Sequence, residues 1–185
     1  NPNPNPNPNP NPLTLTLTLT LTRSGPVSDI GSHRIIGICT AMSRLFQTTV
    51  DDVMTKEVAS KLSPDQYGFL EKKATELCVF LADAATHCAQ ADGLTVDTIF
   101  LDIKSAFAST RHDVIHRSFR EFGVSAKLRR LLIEWHEGQT IFLQLGRLVS
   151  GLVKADIGVT EGTVFSPKEF IVTIDHALCQ WVKHS

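Results

Sequence analysis

The chain begins NPNPNPNPNPNPLTLTLTLTLT, six Asn-Pro pairs running without a break into five Leu-Thr pairs. Two perfect dipeptide repeats of opposite character, end to end, restrict where an ordinary core can be built. Proline at every second position from Pro2 to Pro12 makes that stretch extended or turn-forming and unable to pack. Leu-Thr alternation has the period of a strand, with leucines on one face and threonines on the other. Such a strand could pair with a sheet edge or with copies of itself. Neither repeat suggests a binding function. The expectation is that residues 1–22 are a disordered low-complexity segment and that residues 23–185 are the folded unit.

That remainder is long enough for one domain with a respectable core. No apolar run approaches the ~20 residues needed to cross a bilayer, and no membrane partner is expected. The start lacks the basic and apolar regions of a secretion signal. Cys39, Cys78, Cys88 and Cys179 lie far apart with no CxxC pair, which argues against a disulfide framework or a zinc ribbon. They read as reduced, mostly buried thiols of an intracellular protein. A formal net charge of -1 implies no strongly basic surface, although a local basic groove is compatible with it.

Apolar residues recur at helical spacing between Ile35 and Val58. KLSPDQYGF carries the Ser-Pro-Asp and Gly of a turn. EKKATELCVFLADAATHCAQAD then reads as a helix with Leu77, Phe80, Leu81 and Ala84 on one face, stopped by Gly93. TVDTIFLDI, β-branched and aromatic after a glycine, predicts a strand over residues 95–103. Two helices follow, over residues 111–122 and 126–136, separated by Gly123. The hairpin TIFLQLGRLVSGLVKADIGV has its turn near Gly146, and Ser166-Pro167 opens a last amphipathic helix with proline in its first turn. The order describes an α+β layer with a mostly antiparallel sheet packed on helices.

Two short stretches carry chemistry. In FLDIKSAFAST, Asp102 follows two bulky apolar residues at a predicted strand end, where a carboxylate at a sheet rim can hold an oxygen-ligated cation such as Mg²⁺; Phe107 could wall an adjoining pocket. On spacing alone, an Asp capping the next turn is the favoured reading. In GVTEGTVFSP, two glycines bracket a short polar loop that lets backbone approach a flat ligand. Alone it is a common junction between loop and helix.

In this order and at this separation, the two stretches resemble the first and second palm motifs of reverse transcriptases, especially those of non-LTR retrotransposons. Residues 100–107, FLDIKSAF, are similar to the apolar pair, Asp, aliphatic, two variable residues, Ala and aromatic of the first motif. Residues 158–167, GVTEGTVFSP, are similar to the Gly-Val-x-Gln-Gly and Ser-Pro of the second. Upstream, Arg34-Ile35-Ile36-Gly37-Ile38 resembles the fingers segment Arg-Pro-Ile, and Gln66-Tyr67-Gly68-Phe69 the Gln-x-Gly-Phe after it. The likeness covers residues 34–178. It implies partial fingers and palm of a right-hand polymerase, with an RNA template and a DNA primer as partners. It also implies nucleotidyl transfer assisted by two divalent metals ~4 Å apart. By the same resemblance Asp102 is the first catalytic and metal-binding carboxylate, and Ile103 offers a backbone carbonyl to a metal. Phe107 lies under the sugar and excludes a 2′ hydroxyl. Gly158, Glu161 and Gly162 pack on the incoming nucleotide and template, and Arg34 stands near the triphosphate or template.

The departures are as informative. The family's third palm motif, ending in Asp-Asp, is missing up to Ser185. Asp175 falls inside the predicted final helix with Ile174 and His176 beside it. Glu161 replaces the usual Gln, Leu70 a basic residue, Ile36 the fingers Pro, and Ala108 a frequent Asp. One carboxylate of three cannot offset the dehydration of two ions, so weak or no Mg²⁺ binding and no polymerisation by this chain alone are expected. Among lesser candidates, His112 and His116 have a spacing that suits zinc, but without a third ligand they read as surface or capping histidines. His87-Cys88 reads as packing, and Lys127, Arg129 and Arg130 as a solvated face. Leu128, Leu131, Leu132 and Trp135 have the spacing of a core stripe.

The repeats have a reading outside protein chemistry. The DNA hexamer CCCTAA, repeated, encodes Pro-Asn in one frame, Leu-Thr in the next, and a stop in the third. A slip between Pro12 and Leu13 joins its two open frames, so residues 1–22 read as translated telomeric DNA. The expected protein is thus a reverse-transcriptase-like fragment of a retroelement, inactive alone and nuclear by ancestry. The rival readings are a non-catalytic nucleic-acid-binding or assembly module, and an unstable pseudogene-like fragment with an exposed central sheet edge.

Overall fold

The computed structural model describes residues 14–21, 33–145 and 147–184. In chain order these form β1 (Thr14–Leu21), β2 (His33–Ile38), α1 (Ala41–Val58), α2 (Thr75–Ala91), α3 (Ala106–Ser109), α4 (His112–Glu121) and α5 (Ala126–Gly138). They continue with β3 (Thr140–Leu145), β4 (Leu148–Val149), β5 (Val153–Lys154) and α6 (Ser166–His184).

The core is helical. On α1, Val50, Met54 and Val58 recur every four residues and are buried, which places them on one face of the helix. They meet Ile115 and Phe119 of α4, Leu128, Leu132 and Trp135 of α5, and Val172 of α6, together with Val124, Val159 and Phe165 from loops. Trp135 stacks on Phe46 at 5.5 Å and meets the edge of Phe165 at 5.4 Å. Local chemistry sets the helix ends. The Thr40 hydroxyl accepts from the Ser43 amide at 3.2 Å to start α1, and Ser125 caps α5 through the Leu128 amide at 3.4 Å; each satisfies a donor the helix cannot. Gly123, at φ +66°, turns the chain out of α4, a conformation that disfavours a side chain.

The sheet runs β2-β1-β3-β4, with β5 also on β3. The pairs β1–β2, β3–β4 and β3–β5 are antiparallel, whereas β1–β3 is parallel, from Thr14↔Thr140 to Thr18↔Gln144. A parallel pair needs a long crossover, and the helices between β1 and β3 provide it. The mixed α+β architecture therefore matches expectation. Three of the four strand pairs are antiparallel, in line with the mostly antiparallel sheet expected, and one is parallel; among the residues whose burial is described, the buried apolar core lies on helices and loops.

Further expectations change. Residues 14–21, expected to be disordered and outside the folded unit, form β1 between β2 and β3; the Leu-Thr period suits a strand, and here it has two partners. Residues 1–13 and 22 lie outside the described residues, as does the predicted turn at Gly146. The segment 95–103, expected as a strand, has no regular structure and is exposed throughout, with Phe100 91% and Leu101 70% accessible. Strand propensity needs a neighbouring strand to be realised, and none among the described residues pairs with it. Helix α2 forms as expected but buries none of its residues. Helical spacing from Ile35 gives way to β2 up to Ile38, and α1 starts at Ala41. The four cysteines are free, with Cys78 and Cys88 exposed and Cys39 and Cys179 half-buried, so the expected burial of these thiols is not found. No helix among the described residues is long and apolar enough to cross a membrane.

Candidate nucleotide-site loops

Residues 105–110 and 158–166 are far apart in sequence and adjacent in space. Ser105 turns at φ +51° into the short α3, which carries Phe107 to the glycine loop. There the Gly158 amide donates to the Thr110 carbonyl at 2.9 Å and the Val159 amide to the Phe107 carbonyl at 2.8 Å. The approach is close because Gly158 has no side chain. A Cβ built there would lie 2.8 Å from the Ala108 carbonyl oxygen, and its φ of +89° is itself a glycine conformation.

The other end of the loop meets β2. The Gly37 amide donates to the Glu161 carbonyl at 2.7 Å, and a Cβ on Gly162, at φ +97°, would come within 2.8 Å of the Gly37 carbonyl oxygen. Arg34 lies three residues earlier on the same strand, opposite Thr20 of β1. Three of the segments singled out in the sequence therefore converge on one loop: residues 105–110, β2 and residues 158–163.

Side chains then fix the loop to the helical core. Gln47, fully buried on α1, accepts from the Val164 amide at 2.9 Å and donates to the Ser43 hydroxyl at 3.1 Å. Thr163 accepts no solvent contact of note; its hydroxyl donates to the Thr160 carbonyl at 3.0 Å and meets Ser166 at the start of α6. Lys168 pairs with Asp51 of α1. On the other side, His112 holds the Gly158 carbonyl oxygen 2.8 Å from its Nε2.

The candidate residues are not all drawn together. Phe107 is half-buried, its ring stacked on Phe170 at 5.1 Å and edge-on to Phe69 at 6.1 Å. Gly158 is half-buried, and Glu161 and Gly162 are exposed at the loop surface. Asp102 and Ile103 are exposed on an irregular stretch before α3. Asp175 lies inside α6, buried, where it accepts from the Ser63 amide at 3.1 Å and so holds a loop.

Sequence reasoning passed over Gln47, His136 and Glu169, and considered His112 only with His116 as a zinc-spaced pair. His112 and His116 are half-buried and face His136 of α5, so they are not the surface or capping histidines expected. Only a partner remote in sequence distinguishes such a residue, and no local signal marks it.

Hard dications need several oxygen ligands at once. Among the described residues no group of three or more His, Cys, Asp or Glu side chains is placed to hold a metal ion. The residues present around Asp102 therefore do not make a site that fits a divalent metal, and no step is derived through one.

The geometry is that of a mixed α+β domain in which a glycine loop is docked between a short helix and a strand. Residues 23–185 match the family model described as reverse transcriptase (RNA-dependent DNA polymerase), and the chain belongs to that family. No curated protein matches the chain. Members of the family bind nucleic-acid template and primer and generally use divalent metals.

Proposed function

We propose that the chain is the fingers and first palm segment of a right-hand polymerase of non-LTR retrotransposon type, derived from an enzyme that copies RNA into DNA, and that it does not extend primers by itself. The observation that supports this reading most is the pair of hydrogen bonds from Gly158 and Val159 to Thr110 and Phe107. They join the two stretches whose resemblance is to the first two palm motifs, while Asp102 stays exposed and, among the described residues, no group of three or more His, Cys, Asp or Glu side chains is placed to hold a metal ion. In that reading Asp102 and Ile103 are the remains of a Mg²⁺ site. Gly158, Glu161, Gly162, Phe107 and Arg34 are the remains of the nucleotide and template surface. A carboxylate at Glu161, where the family pattern has an amide, opposes a triphosphate and agrees with lost activity.

Residues 1–22 are proposed to be translated telomeric DNA, which makes the reading frame a retroelement remnant in or beside a telomeric array and its product nuclear. Unique, non-repetitive codons at the locus would end that part of the reading. Activity is tested by primer extension on an RNA template with Mg²⁺. The expected result is no incorporation above that of the Asp102→Asn chain; incorporation abolished by Asp102→Asn would overturn it.

A further inference from the structure

Three histidines from two helices converge beneath the glycine loop, and nothing in the polymerase reading uses them. The rings of His112 and His136 are stacked, 4.1 Å between centroids and 11° from parallel. His116, one turn along α4, places its Nε2 3.4 Å from Nδ1 of His136. The opposite nitrogen of His136, Nε2, is 3.1 Å from Oε1 of Glu169 on α6. His136 is 3% and Glu169 1% accessible. That carboxylate oxygen has the imidazole as its ionic neighbour yet no hydrogen-bond donor in line with it. A buried carboxylate is tolerated when it is paired or protonated, and the His136 imidazole is the ionisable neighbour set against Glu169.

We propose that His112, His116, His136 and Glu169 form an acid-responsive clamp that holds the Gly158 loop against residues 107–110 and lets it go when more than one imidazole is charged. His112 is the arm of the clamp, through its Nε2 on the Gly158 carbonyl oxygen. His136 is the pivot between α4 and α6. A second proton on the cluster puts two like charges in stacked or touching rings, with a single sealed carboxylate among them. The remaining acids that act on the cluster are Asp113, on α4, and Asp156, in the loop before Gly158, and both are exposed. They are too solvated to offset that repulsion.

Burial, and then the charge of His136, lower the affinity of His112 for a proton. The same two causes, with His112 added, push His116 down to about 4. Both groups therefore bind protons more weakly in the closed chain than in the open one. The clamp is fully closed above the ordinary histidine value of 6.5, and its hold is lost progressively as pH falls from there towards 4.

The test is residue-resolved amide hydrogen exchange on the full chain between pH 7 and pH 4, each rate normalised to the intrinsic rate at that pH. The probes are the Gly158 and Val159 amides, and Phe119 and Leu132 report the core. The loop amides are expected to lose at least tenfold more protection than the core amides. In His112→Gln, which keeps a donor for the Gly158 carbonyl but does not titrate, that excess loss should disappear. Loop protection that follows the core at every pH, or an unchanged excess loss in His112→Gln, would overturn the proposal. Should the variant not fold, imidazole proton titrations of the unaltered chain decide. His112 or His116 should titrate with the same midpoint as loop opening, and separate midpoints refute the clamp.

Discussion

Gly158 lies so close to Ala108 that a Cβ built on it would stand 2.8 Å from the Ala108 carbonyl oxygen. The contact belongs to backbone on both sides, so no side chain can rotate to relieve it. Gly158→Ala is expected to destabilise the chain by about 2 kcal/mol or more, from the positive φ and the clash together. A urea midpoint followed by Trp135 fluorescence would measure it. A change under about 0.5 kcal/mol, the ordinary range for surface substitutions, would mean that the loop does not dock there.

Gln47 is the deepest tie between the glycine loop and the helices. Its amide both accepts from Val164 and donates to Ser43 with no exposure to water. In Gln47→Leu the shape is nearly kept, but the Val164 amide and the Ser43 hydroxyl lose their partner. The expected cost is about 1–3 kcal/mol, the usual penalty for a buried polar group left unpaired. Gly158→Ala and Gln47→Leu act on opposite ends of one loop, so their combined effect should fall short of the sum. Equilibrium unfolding of the double variant checks this.

The helices were legible because their signal is local. Of the stripe Leu128, Leu131, Leu132 and Trp135, all but Leu131 are buried as the spacing implies, and Leu131 packs half-buried against them; Ser125, Gly123 and Ser166-Pro167 mark boundaries that their own chemistry sets. What was not legible depends on partners far along the chain. TVDTIFLDI has every intrinsic feature of a strand and remains irregular, since pairing, not propensity, makes a strand. Leu-Thr alternation announced a strand equally clearly, and there the missing knowledge was that β2 and β3 lie on either side. At the candidate site, the glycines and Phe107 could be found from their motifs. The contact that His112 makes could not, because its acceptor is 46 residues away.

Glu57 and Ser125 join α1 to the start of α5. The carboxylate accepts from the Ser125 amide at 2.7 Å and from its hydroxyl at 2.7 Å. The backbone donor in particular holds the Glu57 carboxyl below its usual value of 4.5. A depressed folded-state value adds stability that is present above 4.5 and is lost as pH falls below it. Glu57→Gln should therefore lower the urea midpoint at pH 7 and leave a shallower decline between pH 4.5 and pH 3. Parallel profiles for the two chains in that window would show that the bond does not form.

The Leu-Thr strand offers the sharpest separation between sheet and core. β1 is paired on both sides, so removing residues 1–22 leaves β2 without a sheet neighbour and β3 without its parallel partner. Among the residues whose burial is described, the buried apolar side chains lie between Val50 and Val172 on helices and loops. The buried cluster of α1, α4, α5 and α6 packs through its own side chains, and the driving force for folding follows apolar area removed from water. The chain of residues 23–185 should thus keep a cooperative unfolding transition by Trp135 fluorescence, with a midpoint close to that of the full chain. It should lose amide protection along β2 and β3, among them Ile36, Ile38 and Phe142. Loss of the cooperative transition would mean that the repeat is required by the core. Retained protection in β2 and β3 would mean that they do not depend on β1.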